Sequence, residues 1–504
     1  MVENLILAFG IFFHLSNVLS IFFGVSLGIL MGSIPGLTAT MAIALMIPLT
    51  FYMPPVAAIS MLVGAYKGGC YGGSIPAILI NTPGTPAAAA TVLDGYPMAK
   101  QGKSLKALKM AMYASIMGDG FCDIALILVA PPLAIVALKM GPPETSSLIL
   151  FSLMVITMVA GKSLTKGLIA AAAGLLLGTV GLDPMLSTRR LGFGLIQLDE
   201  GFSLIPMLIG LFAVSEVLVY AARKLSGSKK AILHERSPKP EDNRVSLKEI
   251  KGVMKIIGMA SCVGTFLGAI PGIGPTVAAF VSYGQAKKMS KNPDQFGKGS
   301  IEGVAAAEAG NNAVAGANLI PLLTLGIPGD IGAAVLLGAF MMQGLHPGPL
   351  LFTEHIDLIY AIFISLLCAN VIMFLVASQY IKVANRVSDV PTALIFPAVL
   401  VFCIIGAFAI NQSLFDVWAA LAFGLFGYVM KRFDFPVAPL LIAFILEPIL
   451  ERAFRQSLLI SGGGLDIFVT SPVSLAFLVL TVFSIVMLIR GIRKKKIVIA
   501  NEEE

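Results

Sequence analysis

Charge is what this sequence has least of. Only 12% of its 504 residues are Asp, Glu, Lys or Arg, against about 25% in a soluble globular domain. With 57% hydrophobic residues, that shortage excludes an ordinary soluble fold and marks a polytopic membrane protein embedded in a lipid bilayer. The net charge of +7 does not point to nucleic acid. The basic residues cluster in a few short loops and in the C-terminal run Arg490–Lys496, as the positive-inside rule predicts. The five cysteines (Cys70, Cys122, Cys262, Cys368, Cys403) include no CxxC pair, so neither a disulfide framework nor a metal site is expected. The four histidines are dispersed, and no cofactor is implied. No Gly-x-x-x-x-Gly-Lys-Ser/Thr loop occurs, so the chain is not expected to hydrolyse ATP by itself. The N-terminus lacks a basic n-region, and no cleavable signal peptide is expected. The single tryptophan, Trp418, reads as an interfacial anchor.

What is abundant is glycine and proline, 51 and 29 residues, as membrane helices tolerate. A span takes roughly 20 apolar residues, so the fold class expected is an all-α membrane protein of about 11–13 transmembrane segments. Three prolines and a glycine interrupt the apolar stretch Ser74–Pro86. A helix cannot run through them unbroken, and broken backbone facing lipid would leave polar groups unpaired. The stretch therefore belongs inside protein or beside a wet cavity.

The second half repeats the first. Gly28–Gly36 (Gly-Ile-Leu-Met-Gly-Ser-Ile-Pro-Gly) matches Gly264–Gly272 (Gly-Thr-Phe-Leu-Gly-Ala-Ile-Pro-Gly), and Pro76, Pro83 and Gly84 match Pro321, Pro328 and Gly329 at nearly the same offset. The division expected is residues 1–222 as one repeat, 223–248 as a basic cytoplasmic linker and 249–504 as the other repeat. Charge gives their relative orientation. Lys287, Lys288, Lys291 and Lys298 follow the Pro-Gly break of the second half, while the matching loop at Phe51–Pro55 is uncharged. Conversely, Lys100, Lys103, Lys106 and Lys109 follow Ser74–Pro86, while Gly344–Phe352 has no Lys or Arg. Equivalent loops carry opposite signals, as expected of inverted-topology repeats with broken or re-entrant helices. Lys162/Lys166, Arg223/Lys224, Lys382/Arg386 and Lys431/Arg432 fit the same scheme, with the N-terminus periplasmic. Arg189/Arg190 and Arg452/Arg455 count against it.

Inverted repeats with interrupted helices place substrate between the broken ends. A helix N-terminus attracts a carboxylate, while free carbonyls and hydroxyls suit a small cation. The substrate-binding set expected is therefore Thr38, Asn81, Thr82, Gly84, Thr85, Gly272, Gly274, Thr276, Asn312 and Gly329. The alternative is that the breaks are packing kinks or caps. Glu308, in Glu308-Ala309-Gly310-Asn311-Asn312, shares a helical face with Asn312. It would coordinate a cation, accept a proton or hydrogen-bond substrate, unless it sits at a surface helix end. Asp119 and Asp123, an i,i+4 pair in an apolar run, would coordinate a cation or make a polar interhelical contact. Asn311 and Thr324 complete the expected cation set of Glu308, Asn311, Thr324, Asp119 and Asp123. Lys67 reads as a snorkelling lysine near the interface, the alternative being a counter-charge for an anionic substrate. No metal-ligand spacing or nucleophile–base pair accompanies these carboxylates, so an enzyme is disfavoured. A channel is too, because continuous polar lining is not evident.

At these motifs the sequence resembles the large membrane subunit of the tripartite tricarboxylate transporters. The resemblance rests on Gly28–Thr40, Tyr71–Met98 (with Asn-Thr-Pro-Gly-Thr-Pro), Gly264–Thr276 (with Ile-Pro-Gly-Ile-Gly-Pro) and Glu302–Gly348, and covers nearly the whole chain. It implies a multi-pass secondary transporter of the bacterial inner membrane that imports tricarboxylates or related carboxylates. It implies two protein partners, a small membrane subunit and a periplasmic solute-binding protein, and a Na⁺ or H⁺ gradient as the driving force. The alternative is a stand-alone cation-coupled organic anion transporter without a binding protein.

Overall fold

Apolar sequence with closely spaced glycines folds here into helices that cross at backbone contact. The computed structural model describes residues 9, 10, 12–159, 163–225, 236–387 and 392–486. Lys162, linker residues 226–235 (with Lys229, Lys230 and His234), the tail Arg490–Lys496 and the side chains of Arg223, Lys224 and Arg386 lie outside the described residues.

The first half runs through α1 (Leu15–Ser33), α2 (Ala39–Thr50), α3 (Pro55–Gly72), α4 (Ser74–Ile80), α5 (Ala88–Lys100), α6 (Ser104–Ala137), α7 (Pro142–Val159) and α8 (Leu164–Gly178). A two-residue antiparallel ladder follows, β1 (Gly181–Leu182) with β2 (Arg189–Arg190). Then come α9 (Leu204–Leu208), a π turn at Ile209–Val214 and α10 (Ser215–Leu225). The second half holds α11 (Leu247–Gly268), α12 (Gly274–Met289), α13 (Ile301–Ala317), α14 (Leu319–Leu325), α15 (Ile331–Met342), α16 (Leu351–Glu354), α17 (Ile356–Val387), α18 (Thr392–Asn411), α19 (Leu414–Arg432), α20 (Val437–Ile460) and α21 (Ile467–Thr470). Among the described residues, 7 helices are long and apolar enough to cross a membrane, and five shorter apolar helices accompany them. The protein is an all-α polytopic membrane protein.

The chain divides into two units, each drawing on both halves of the sequence. The first comprises Met1–Ile135 with Leu204–Tyr428, the second Val136–Ser203 with Val429–Glu504. In the second unit a Cβ at Gly174 of α8 would strike the Leu440 carbonyl of α20, so these helices touch backbone to backbone. The hairpin is tied to α20 by ion pairs. Arg190 donates to both carboxylate oxygens of Glu451 at 2.7 and 3.0 Å. Arg455 donates to Asp183 at 2.6 Å and to Glu451 at 2.9 Å. The Arg455 guanidinium, helped by the Leu186 and Met185 N–H groups, holds the Asp183 carboxyl down at about 2.

The first unit is built on the α1–α3 crossing. Gly24, Gly28 and Gly32 of α1 lie under Met61, Ala65 and Gly69 of α3. Reciprocally, a Cβ at Gly68 would come 2.5 Å from the Val25 carbonyl oxygen, and one at Gly72 2.6 Å from that of Ile29. Without a hydrophobic drive between helices in lipid, such close packing supplies the association. The second half repeats the device, with Gly264 and Gly268 of α11 against Gly310, Ala313 and Ala317 of α13.

All four helix breaks lie in this unit, and they match in pairs. After the first Pro-Gly break α2 begins at a Thr38 cap, whose hydroxyl accepts the Met41 N–H at 3.2 Å. Gly36 and Gly272 take φ of +92° and +90°. The second breaks share a helix-ending turn of the left-handed type. Asn81 and Gly326 have φ of 58° and 71°. The following N–H groups, of Thr82 and Ile327, donate back to Pro76 and Pro321 at 3.3 and 3.2 Å. Within each half the two breaks are packed on each other. A Cβ at Gly84 would strike the Gly32 carbonyl, and the Gly272 N–H donates to the Gly329 carbonyl at 2.7 Å.

The loops sort by charge. Gln101 donates to the Lys298 carbonyl at 2.8 Å, and Lys106 pairs with Glu249 at 2.6 Å. Lys109 donates to the Asn243 carbonyl at 3.0 Å. Basic loops of both halves and residues 237–243 thus touch. Separately, Gln343, next to the uncharged Gly344–Phe352 loop, donates to the Thr50 carbonyl at 2.8 Å beside the uncharged Phe51–Pro55 loop.

Candidate binding and coupling site

Three helices, α3, α6 and α13, carry polar side chains at helical spacing into the interior of the first unit. On α6 the spacing Ser115, Asp119, Asp123 puts all three on one face. On α13 Glu308 and Asn312 do the same, on α3 Lys67 and Tyr71 do so, and Ser74 opens α4 just beyond the end of α3. All are buried. Gly118 of α6 lies against Ala309 and Gly316 of α13 lies against Cys122 and Asp123, so small residues let the polar faces meet.

The centre is Glu308, fully buried. Its carboxylate accepts hydrogen bonds from the hydroxyls of Ser74 and Thr91, and from Ser115 at 2.9 Å. Asn312 donates to Ser115 Oγ at 2.9 Å and to the Glu308 carbonyl at 3.1 Å. Its own Oδ1 is buried without a partner. The group thus gathers a carboxylate, three hydroxyls and a side-chain amide. Ser74 opens the interrupted stretch of the first half, and Thr91 lies on α5, which follows that stretch. Glu308 reaches both from the other half.

A second cluster adjoins it through Cys122, whose thiol lies 3.9 Å from the Asn312 carbonyl. Here the structure overturns one expectation. Lys67 does not snorkel to an interface; it is 1% exposed. Its ammonium lies 3.0 Å from Asp119 Oδ2 and 2.5 Å from Asp123 Oδ2. It also donates to the Leu366 carbonyl at 3.3 Å. A lysine this deep needs acidic partners, and they come from a helix distant in sequence. Asn370 of α17 donates to Asp123 Oδ2 at 2.6 Å. Asp119 and Asp123 therefore make a polar interhelical contact.

A third cluster lies at the second-half breaks. Asp330 caps α15, accepting the Ala333 N–H at 2.8 Å and the Tyr66 hydroxyl at 2.7 Å. Asn318 donates to that hydroxyl at 3.1 Å. A Cβ at Gly329 would strike Asn318 Oδ1, and one at Gly274 would touch Asp330 Cβ at 3.7 Å.

The expected residues are thus distributed as follows. Glu308 and Asn312 meet in the central cluster, and Asn311, buried beside them, has an unpartnered Nδ2. Asp119 and Asp123 form the second cluster. Gly272, Gly274 and Gly329 adjoin the third, and Thr276 is half-buried in the first turn of α12. Asn81 and Thr82 are exposed at the first-half break, Gly84 is buried, and the Thr85 hydroxyl is buried without a partner. Thr38 stays at its cap. Thr324 turns its hydroxyl back to the Ile320 carbonyl at 2.6 Å, away from Glu308's partners. Sequence reasoning missed Ser74, Thr91, Ser115 and Asn370. The Ser115, Asp119, Asp123 spacing was the available signal.

The match to the family model described as "Tripartite tricarboxylate transporter TctA family" spans residues 18–442. An uncharacterized 52.8 kDa protein in the TAR-I ttuC' 3' region of Agrobacterium vitis is 37% identical over 511 residues, covering 100% of this chain and 99% of that protein. A second uncharacterized protein, in the TAR-II ttuC' 3' region of the same organism, is 40% identical over 234 residues, 46% of this chain and 97% of that protein. No solved structure matches.

Proposed function

The chain belongs to the tripartite tricarboxylate transporter TctA family, a transporter family of the bacterial inner membrane, and from that membership we propose a specific role. It is the large membrane subunit of a secondary transporter that imports tricarboxylates or related carboxylates, driven by a Na⁺ or H⁺ gradient. A periplasmic solute-binding protein delivers the substrate and a small membrane subunit completes the complex, as the family's tripartite organisation implies. The family transports rather than catalyses.

The observation that carries the coupling is the Glu308 cluster. Four oxygen groups of the kind a small cation selects, the Glu308 carboxylate and the hydroxyls of Ser74, Thr91 and Ser115, meet among the interrupted helices. An ionisable residue buried among membrane helices is a functional candidate by default. A bound cation would turn the hydroxyl lone pairs toward itself.

Substrate carboxylate is assigned to the first-half break, Asn81–Thr85, with Thr38, Gly272, Gly274, Thr276, Asn312 and Gly329 in the remaining set. The N-terminus of α15 already holds the Asp330 carboxylate. That of α5 has no side-chain cap; its Ala88, Ala89 and Ala90 N–H groups already donate to the Thr85, Pro86 and Ala87 carbonyls, so what it offers an anion is the partial positive charge of the helix end. The Asn81 side chain is exposed at this end.

The halves are read as inverted repeats, 1–222 and 249–504, around the linker 223–248. The matching breaks support the repeat. The loop contacts support the inversion: basic loops of opposite halves touch, and so do uncharged loops of opposite halves. Each contact pairs loops that are not equivalent in the repeat, as inversion requires.

The test is uptake of labelled citrate into proteoliposomes holding both membrane subunits, with and without the candidate binding protein. Uptake is expected only with it; equal uptake without it favours the stand-alone reading. Asn81→Ala and Asn312→Ala are each expected to impair uptake, and normal uptake in both would overturn the site.

A further inference from the structure

We propose that the Lys67–Asp119–Asp123–Asn370 cluster is a second cation site, in which the Lys67 ammonium is a tethered resident cation and one exchangeable monovalent cation, Na⁺ or H⁺, completes the charge. The inference rests on the transport reading above and adds to it a site and a count.

The first ground is charge. Asp119 and Asp123 are 0% exposed and Lys67 1%. Among the described residues, Lys67 is the only Lys or Arg in the buried set. Two carboxylates and one ammonium leave one negative charge unbalanced. A structural ion pair needs one carboxylate; among the described residues the second has no counter-charge.

The second ground is independent of charge. Asn370, 6% exposed, aims its amide into the cluster, donating from Nδ2 to Asp123 Oδ2 at 2.6 Å. Its Oδ1 and Asp123 Oδ1 are both buried and both lack a donor. Two unpaired acceptor oxygens beside an uncompensated carboxylate are what a cation would take up, since a buried polar group without a partner is costly. The other ionisable groups around the cluster are Cys70 and Tyr66 on α3, Cys122 on α6, and Glu308 on α13. The fourth helix, α17, contributes the Asn370 amide and the Leu366 carbonyl. None supplies a positive charge.

The internal repeat explains the lysine. Lys67 lies nine residues before Pro76, and Asn312 nine residues before Pro321, so they occupy one position of the two copies. In the second copy an amide serves the Glu308 cluster. In the first copy an ammonium serves the Asp119–Asp123 pair. One copy carries a cationic donor where the other carries a neutral one. The exchangeable ion then joins Lys67 at the pair, and its arrival or departure changes the net charge that must cross with the substrate.

The test is the ion-to-substrate ratio of the reconstituted three-component system, read from reversal potentials in two arms, a Na⁺ gradient at equal pH and a pH gradient at equal Na⁺. Asp119→Asn makes the cluster neutral, and the ratio is expected to fall by one in the arm of the ion that occupies it. Lys67→Gln makes the deficit two charges, and the ratio is expected to rise by one in the same arm. The double variant is expected to restore the wild-type ratio. If Asp119→Asn fails to fold, Lys67→Gln is read alone. A folded single variant with an unchanged ratio in both arms would overturn the proposal while leaving the transport reading intact. A wild-type protein that shows no ion coupling in either arm would instead overturn the transport reading.

Discussion

Replacing Glu308 by Gln separates coupling from packing. The substitution keeps the shape of the side chain and its hydroxyl neighbours Ser74, Thr91 and Ser115, but removes the charge. If the cluster binds a cation, the attraction lost is that of one unit charge at contact distance. With an effective dielectric near 20 this is about 3–4 kcal/mol at roughly 4 Å, or about 10²–10³-fold in cation affinity. The cost to the fold is smaller. Charge-assisted hydrogen bonds weaken to neutral ones, about 1 kcal/mol each, but the desolvation penalty of a buried carboxylate is relieved, and that is worth several kcal/mol. Stability without Na⁺ should therefore be unchanged or increased, while the Na⁺-dependent gain in melting temperature should vanish. The assay is Na⁺ titration of citrate uptake beside Na⁺ titration of thermal unfolding in detergent. Ser115→Ala serves as the graded control, with about a fivefold loss from one hydrogen-bonding group. Wild-type Na⁺ dependence in Glu308→Gln would refute the assignment, and a collapse of stability without Na⁺ would make Glu308 a structural residue.

Three further outcomes are expected. Gly68→Val drives a side chain into the Val25 carbonyl, where a Cβ alone already comes to 2.5 Å; the cost should be about 1–3 kcal/mol, and an unaltered melting temperature would refute the packing. Asn81→Gly keeps the left-handed turn at φ 58°, whereas Asn81→Ala adds about 1–2 kcal/mol of strain; the glycine variant should keep stability and lose uptake, and full uptake would remove the amide from the site. Asp183, held at about 2 by Arg455, against about 3.9 in an unfolded chain, gives stability that is complete above about pH 4 and fades as pH falls toward 2. Corrected for the intrinsic exchange rate at each pH, amide protection across the β1–β2 hairpin should fall over that window, and protection that does not change between pH 4 and 2 would contradict the pairing.

The breaks were legible in the sequence because proline and glycine act locally. Pro76 and Pro321 sit in the first turn of the short helices α4 and α14, which end in left-handed backbone at Asn81 and Gly326, and Gly36 and Gly272 mark left-handed backbone at the other breaks. Lys67 was misread because its environment is made by Asp119, Asp123 and Asn370, none of which is near it in sequence. The hydroxyl ligands were missed for a different reason. A serine or threonine in an apolar helix can bond its own backbone, as Thr324 and Ser261 do, or reach across to a neighbour, as Ser115 and Thr91 do. Sequence does not separate the two. The division into units drawing on both halves was equally hidden, since the α8–α20 contact joins residues far apart in the chain.

The account turns on one claim, that a cation gradient drives carboxylate import through this chain. The direct measurement is accumulation of labelled citrate in proteoliposomes containing both membrane subunits, supplied with the loaded binding protein. An inward Na⁺ gradient is compared with equal Na⁺ on both sides, at matched pH and then under a pH gradient. The account predicts accumulation above the external concentration under one of these gradients and its collapse when that gradient is removed. Uptake of the same extent with neither gradient present would contradict it.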